Sequence, residues 1–371
     1  MKRPTGLPLL ALSIGFLSLA SDLAAQVAPR TTAATATRFR AIFEPVNYPQ
    51  DLEITDVVFV NDSVGWASGA AATILYTGNG GKTWTPQLGG DPQGAERPIY
   101  DLRFVSASVG FATQGTGGEQ RLLRTTDGQT WSETGTSGQH RGDIQFTSAE
   151  SGVYVSGEKI FHTADAGKNW KTAYTCNIAV DVQGLSRSAK CHFEGVSFPT
   201  PQIGYAISRN VENAAFVVAK TTDAGSSWTA WTIPEPQLGG EHIVFTDENT
   251  GFIKMWGGAI LSTRDGGKSW TGVPGVKLEG GKQARIKFVD REVGWGVSPY
   301  GTLVYTTDGG RRWASRKLKF PATINGFSVP SRGRGYVSGE HGMIYRYRIV
   351  PADYKASNII EAPAISGGSV R

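Results

Sequence analysis

Nine residues, Ser262 to Trp270, read STRDGGKSW and contain a Gly-Gly-Lys-Ser run of the kind that cradles phosphate groups. A phosphate-binding loop needs a further glycine, separated from the Gly-Lys-Ser by four residues, and a helix after it. Arg264 and Asp265 stand in that approach, and Thr-Gly-Val-Pro follows the tryptophan. The same phrase recurs along the chain, whereas a nucleotide site is built once. The run therefore indicates a repeated turn and not a nucleotide site.

A second set of residues could do acid-base or binding chemistry. Asp56, Asp101 and Asp143 occupy equivalent positions in three consecutive repeats. His242 and Arg285 occupy the same position in two later repeats. Three acids facing a histidine and an arginine would form a charge-segregated site for a ligand or cation. An aspartate at the start of a strand can instead simply accept N–H groups of the preceding loop. Paired carboxylates about 6.5 to 9.5 Å apart would also suit inverting glycoside hydrolysis.

The elements that must position these residues follow from the repeat. Its terminal tryptophans are spaced by 39 to 58 residues, mostly near 42, and periods of about 40 to 45 residues are typical of propeller blades. Before each tryptophan the order of segments is the same: a β-like run ending in Phe, a Gly followed by apolar residues, and a third short run. The tryptophans are Trp84, Trp131, Trp170, Trp228, Trp270 and Trp313.

Each repeat thus predicts three short strands with alternating polarity, and the segment beginning at the tryptophan supplies a fourth. The fold class is therefore all-β: a seven-bladed β-propeller of four-stranded blades. The seventh unit begins near Gly326 and stops after residue 350 without a fourth strand. Because an unpaired edge is a liability, we predict that the N-terminal segment 38–43 closes that blade as its outer strand.

The repeated turn, [Ser/Thr]-x-Asp-x-Gly-x-x-Trp, resembles the Asp box, or BNR repeat, of sialidases and other propellers. Its acid is expected to accept backbone N–H bonds across the turn while the glycine permits positive φ and the tryptophan fills the space between sheets. One copy has an asparagine, and the second copy is one residue short. The six positions are Asn79, Asp127, Asp165, Asp223, Asp265 and Asp308.

The full combination of hydrophobic-x-Phe, Gly-aromatic and the Asp-Gly-Gly turn resembles the photosystem II stability and assembly factor family over about residues 38–350, as at 65–84, 251–270 and 294–313. That resemblance implies a non-enzymatic scaffold that holds a membrane protein or another partner during assembly. The alternative is a glycoside hydrolase of sialidase or xyloglucanase type. We assign no catalytic residue, no cofactor and no metal.

The ends of the chain indicate export. Lys2 and Arg3 precede a short apolar run and small residues around Ala25, which is the layout of a secretory signal. We therefore expect a signal peptide at 1–25, a flexible lead at 26–37, the propeller at 38–350 and a C-terminal tail at 351–371. The location is periplasmic or extracellular, where Cys176 and Cys191 would form a disulfide.

Binding is expected on the face opposite the Asp boxes, where the inter-blade loops lie. Arg121, Lys159 and Arg209 form a candidate partner-binding rim there, although surface cations are usually just solvated. The disulfide loop on the same face serves either recognition or stabilisation. With a formal charge of +5 and no basic run, we expect a protein partner, a membrane or envelope protein, and no nucleic acid. No membrane-spanning segment is expected after signal removal, and the protein is expected to be a monomer.

Overall fold

Each sequence repeat folds into one antiparallel sheet, and the sheets assemble into a seven-bladed β-propeller, as predicted. The structure is a computed structural model that describes residues 39–46, 48–115, 120–137, 143–234 and 239–365. All of these belong to one compact unit, residues 37–371. The predicted signal peptide and flexible lead lie outside the described residues.

Strands within a blade are numbered here from the ring axis outward. In blades one to three they are Ile54–Phe59, Gly65–Gly69, Thr73–Thr77 and Thr85–Leu88; Ile99–Phe104, Gly110–Gln114, Gln120–Thr125 and Ser132–Ser137; Ile144–Phe146, Gly152–Ser156, Lys159–Thr163 and Lys171–Thr175. In blades four to six they are Phe193–Ser197, Gly204–Val211, Ala215–Thr221 and Thr229–Pro234; Gly240–Phe245, Gly251–Met255, Ile260–Thr263 and Thr271–Gly272; Arg285–Phe288, Gly294–Val297, Thr302–Thr306 and Ala314–Lys317.

Blade seven is closed by strands from both ends of the chain. Ile324–Ser331, Arg334–Gly339 and Ile344–Pro351 are its first three strands, and Phe39–Pro45 pairs with the third as the predicted N-terminal closing strand. A further strand, Ile360–Ala362, pairs with that closing strand on its other side, so this sheet has five strands. The closing strand is thus held between two others rather than left at an edge, which is a feature that the sequence did not indicate.

The Phe and Gly-aromatic positions of the repeat pack neighbouring blades together. A Cβ atom at Gly65 would lie 2.6 Å from the ring of Phe59, so only glycine allows that ring to lie flat on the second strand. The residue after the glycine, Trp66, stacks on Phe104 of the next blade with ring centroids 3.8 Å apart. The same arrangement recurs where Phe111 stacks on the first-strand phenylalanine of blade three. Such stacked aromatic pairs contribute about 0.5 to 1.5 kcal/mol each beyond their buried area.

The repeated turn is a hydrogen-bonded staple between strands three and four. The Thr163 hydroxyl donates to Asp165 Oδ1 at 2.7 Å and accepts the Gly167 N–H at 3.0 Å. Asp165 Oδ1 also accepts the N–H of Asn169 at 2.9 Å. Asn79 uses its side-chain oxygen in the same way in the first blade. These polar side chains are therefore engaged in holding the turn.

A separate hairpin interrupts the connection from blade three to blade four. Its strands are Ile178–Val182 and Leu185–Ala189. Cys176 and Cys191 form a disulfide across its base, with their Cα atoms 5.6 Å apart, and both are buried. Among the described residues the only helix is the 3₁₀ turn Gly281–Gln283, and none is long and apolar enough to cross a membrane.

Candidate functional site

The channel mouth is formed by the starts of the first strands, where alternate side chains point toward the ring axis. It opens into a cavity of about 450 Å³. Asp101, Asp143, His242 and Arg285 all line this cavity, so the structure brings these four predicted residues together. Asp56 does not line the cavity: it is buried, and its Oδ1 accepts the Val57 N–H at 2.9 Å.

One arginine that the sequence analysis missed organises the aspartates. Arg103 Nη2 lies 3.1 Å from Asp101 Oδ1 and 3.1 Å from Asp143 Oδ1, and its Nη1 lies 3.5 Å from Asp56 Oδ2. Arg285 adds a second cation, 3.4 Å from Asp101 Oδ1. Burial lowers the pKa of Arg103, but the three aspartates outweigh that effect and raise it. The acids of blades one to three are therefore joined through a single guanidinium group.

This geometry does not suit Asp101 to be the acid of a glycoside hydrolase. A hydrolase needs one carboxyl group whose pKa is raised so that it carries a proton at the working pH. Burial by itself raises the pKa of Asp101, but the guanidinium groups of Arg103 and Arg285 outweigh it and hold that pKa below its usual range. Asp101 is therefore ionised and ion-paired, and Arg103 occupies the space between it and Asp143.

His242 and Lys287 place further nitrogen atoms at the axis. His242 Nε2 lies 2.9 Å from the carbonyl oxygen of Ile286, and burial lowers the pKa of the imidazole to about 4. Lys287 donates to the carbonyl of Phe327 at 2.6 Å, and burial lowers its pKa to about 8. At neutral pH the histidine is thus an uncharged ring that donates its Nε2–H to the backbone.

Two buried glutamates extend the set of ion pairs from the cavity into blades four to six. Glu194 pairs with both Arg209 and Lys282. Glu241 pairs with Lys254, whose side chain is completely buried and also donates to the carbonyl of Gly281. Burial lowers the pKa of Lys254 in spite of this partner. Glu194 and Glu241 each stand one position before an aligned mouth residue, and Lys254 lies on the neighbouring strand. The sequence analysis therefore missed these groups.

The predicted rim residues lie on three consecutive blades. Arg121 and Lys159 are exposed. Arg121 is the second residue of the third strand of blade two, and Lys159 is the first residue of the third strand of blade three. Arg121 Nε lies 3.8 Å from Glu133 Oε2. Arg209 belongs to blade four and pairs with Glu194. Within the part of the chain that the structure describes, Arg209 is therefore the rim residue that an ion pair joins to the charged groups around the cavity.

Large apolar side chains are exposed mainly on one face. The mouth face carries the inter-blade connections and the turns between strands two and three. Of the five large hydrophobic side chains recorded as exposed among the described residues, four lie there: Tyr100, Leu185, Trp256 and Tyr300, with exposed fractions of 40% to 67%. Leu185 is at the tip of the disulfide-stapled hairpin. Aromatic residues on a surface with interspersed arginines are typical of protein-binding sites.

The fold thus defines the protein as a β-propeller, and comparisons with known proteins agree on that class. No family model matches the chain. The chain is 27% identical over 376 aligned positions to the chloroplastic photosystem II stability/assembly factor HCF136 of Oryza sativa subsp. japonica, covering 89% of this chain and 88% of the relative. It is 26% identical over 347 positions to the Arabidopsis thaliana protein of the same name, covering 88% and 83%.

A solved structure described as YCF48 bound to D1 peptide superimposes with a TM-score of 0.58 at 20% identity, covering 82% of this chain and 96% of that one. It supports the propeller fold. The predicted resemblance to photosystem II stability/assembly factors is therefore confirmed in sequence, and the seven-bladed fold is confirmed in structure.

Proposed function

We propose that this protein is an exported, non-enzymatic propeller scaffold that binds a segment of a membrane or envelope protein during the assembly of a complex. The single observation that carries the proposal is the concentration of exposed apolar side chains on the mouth face, beside a polar cavity of about 450 Å³. The similarity to photosystem II assembly factors, one of which is described as bound to a D1 peptide, supports the kind of partner.

The chemistry of the mouth favours binding over catalysis. Asp101 is ionised and paired to Arg103 and Arg285, so it offers hydrogen-bond acceptors in fixed positions and no proton donor. Fixed groups lower the entropic cost of binding because little has to be ordered when the partner arrives. The disulfide between Cys176 and Cys191 supports a location in an oxidising compartment, which we take to be periplasmic or extracellular.

Site-specific photo-crosslinking tests the proposal. A benzoylphenylalanine would replace Tyr300 on the mouth face in one variant and Lys268, exposed on an Asp-box turn of the opposite face, in a matched control. Each protein would be irradiated with membranes of the native host. We expect the Tyr300 position to crosslink one membrane or envelope protein and the Lys268 position not to do so. Equal crosslinking from both faces, or none from the mouth face, would refute the proposal.

A further inference from the structure

We propose that the mouth face contains an anchor pocket for one acidic side chain of the bound segment. This Trp256 pocket has a volume of about 170 Å³ and lies between blades four and five. The inference rests on the proposed function, because it specifies how the bound segment would be recognised. The pocket is lined by Glu194, Arg209, Asn210, Gly239, Gly240, Glu241, Trp256 and Lys282.

Trp256 is an unusual residue to leave in water. Its side chain is 63% exposed, whereas tryptophan is highly buried on average. Its backbone is nevertheless fixed: the Trp256 N–H donates to the carbonyl of Gly239 at 2.9 Å, and the Gly258 N–H closes the turn on Met255 at 3.0 Å. The exposed ring is therefore held on a rigid turn, which is the condition under which an aromatic anchor binds at low entropic cost.

The opposite wall of the pocket is closely packed. A Cβ atom at Gly239 would lie 2.2 Å from the backbone nitrogen of Asn210, so the two backbone segments are in direct contact. A Cβ atom at Gly240 would lie 2.3 Å from Ile207. The backbone on this side of the pocket is therefore closely packed against its neighbours.

The charged residues around the pocket determine which kind of partner side chain it would bind. Glu194 has a side chain only 5% exposed and is shared by Arg209 and Lys282, which are themselves 61% and 45% exposed. Glu241 is matched by the buried ammonium group of Lys254. Three cations, Arg209, Lys282 and Lys254, thus pair with two carboxylates at this pocket, and the guanidinium group of Arg209 faces solvent with further N–H donors.

A carboxylate fits this arrangement better than any other common side-chain group. Its oxygens would accept charge-assisted hydrogen bonds from the guanidinium and ammonium groups, and its methylene groups would rest on the indole of Trp256. A lysine or arginine of the partner would instead face two like charges at the rim. The structure therefore assigns an aspartate or glutamate of the partner to this pocket.

A peptide library tests the assignment without knowledge of the natural partner. Random twelve-residue peptides displayed on phage would be selected on the folded protein and on Trp256→Ala, Arg209→Gln and Lys282→Gln variants. Phe39→Ala, Arg316→Gln and Lys317→Gln are the matched controls, since these exposed residues lie on blades seven and six, outside the pocket lining. Thermal unfolding of each variant checks that it is folded.

We expect peptides selected on the unaltered protein to share an Asp or Glu at one fixed position. Replacing that acid with its amide should weaken binding about 10- to 100-fold in fluorescence anisotropy. The acid preference should disappear in the three pocket variants and persist in the three controls. Arg209→Gln carries the test alone if another pocket variant fails to fold, because Arg209 lines this pocket and not the central cavity, which Lys282 also lines.

Two results would overturn the assignment. One is no peptide, or no acidic preference, in the selection on the unaltered protein; the other is an acidic preference that survives Arg209→Gln. Failure here is distinguishable from failure of the proposed function. If crosslinking from the Tyr300 position still captures a membrane protein while the library shows no acidic preference, the scaffold role stands and the pocket assignment is wrong. If crosslinking fails on both faces, the scaffold role is wrong whatever the library shows.

Discussion

Among substitutions in the channel, we expect Arg103→Gln to cause the largest loss in the free energy of unfolding. The substitution removes the cation shared by Asp56, Asp101 and Asp143 while keeping a polar side chain of moderate length. At neutral pH it leaves three carboxylates near one another in a partly enclosed site, one of them only 6% exposed. We therefore expect a marked loss in the free energy of unfolding.

The size of the loss follows from the burial of the pairs. Removing one partner of a buried ion pair costs about 3 to 5 kcal/mol because the remaining charge is left uncompensated. The Arg103 side chain is 21% exposed, so water compensates in part and we expect about 3 kcal/mol, the lower end of that range.

The pH dependence gives the sign of the effect. The folded-state pKa of Asp101 is held below its usual value by Arg103 and Arg285 in spite of burial. Its contribution to stability is therefore present above the pKa of the unfolded chain and is lost as pH falls through the folded pKa. In the variant the carboxyl group of Asp101 protonates more easily because the guanidinium of Arg103 is gone, and protonation relieves its repulsion with its neighbours. The difference between the two proteins should accordingly shrink toward pH 3.

Guanidinium unfolding at pH 7 and pH 3, followed by tryptophan fluorescence, measures this difference. Arg316→Gln is the control, because Arg316 is exposed on the outer strand of blade six and its loss should cost less than about 0.5 kcal/mol. The account of Arg103 is refuted if Arg103→Gln costs less than about 1 kcal/mol at pH 7, or if its cost is the same at both pH values.

Three further outcomes are expected. Replacing Cys176 and Cys191 by serine should lower the free energy of unfolding by about 3 kcal/mol for a loop of this length, and a reductant should then have no additional effect on the unfolding midpoint. Gly65→Ala should destabilise by about 1 to 3 kcal/mol, since its Cβ would meet a phenylalanine ring at 2.6 Å, whereas Gly272→Ala meets nothing within 4 Å and should change the urea midpoint little. The pKa of His242 is lowered from 6.5 to about 4, so the unfolded chain takes up a proton at a higher pH than the folded protein does. The free energy of unfolding should therefore fall as pH drops from 6.5 to 4, by up to about 3 kcal/mol. A His242→Gln variant should lack that part of the pH dependence in urea titrations.

Much of the architecture could be read from local pattern. The spacing of tryptophans, the Gly-aromatic segments and the alternation within short runs specify seven blades, because each of these features is used within one blade or between adjacent blades. The missing fourth strand of the last blade pointed to the N-terminal segment. The extra strand Ile360–Ala362 could not be foreseen, since three residues without a repeat to align them carry too weak a signal.

The site was predictable only in part. Alignment of the repeats located Asp101, Asp143, His242 and Arg285 at the mouth, because equivalent positions in a ring face the same axis. It overlooked Arg103, although Arg103 stands two residues after Asp101 and therefore points to the same side of the strand. The repeats were aligned at the position of Asp101 and its equivalents, and not at the position two residues later, which faces the same channel.

The sequence by itself determined the blade, its turn and the number of repeats, since these depend on contacts between residues close in the chain. Only the tertiary structure decided which charges meet. Arg285 reaches Asp101 across 184 positions, and Lys282 reaches Glu194 from a connection two blades away. Such pairs are set by closure of the ring, which brings together side chains whose separation along the chain carries no periodic signal. The tertiary structure likewise places the exposed Trp256 beside two cations that share one buried carboxylate.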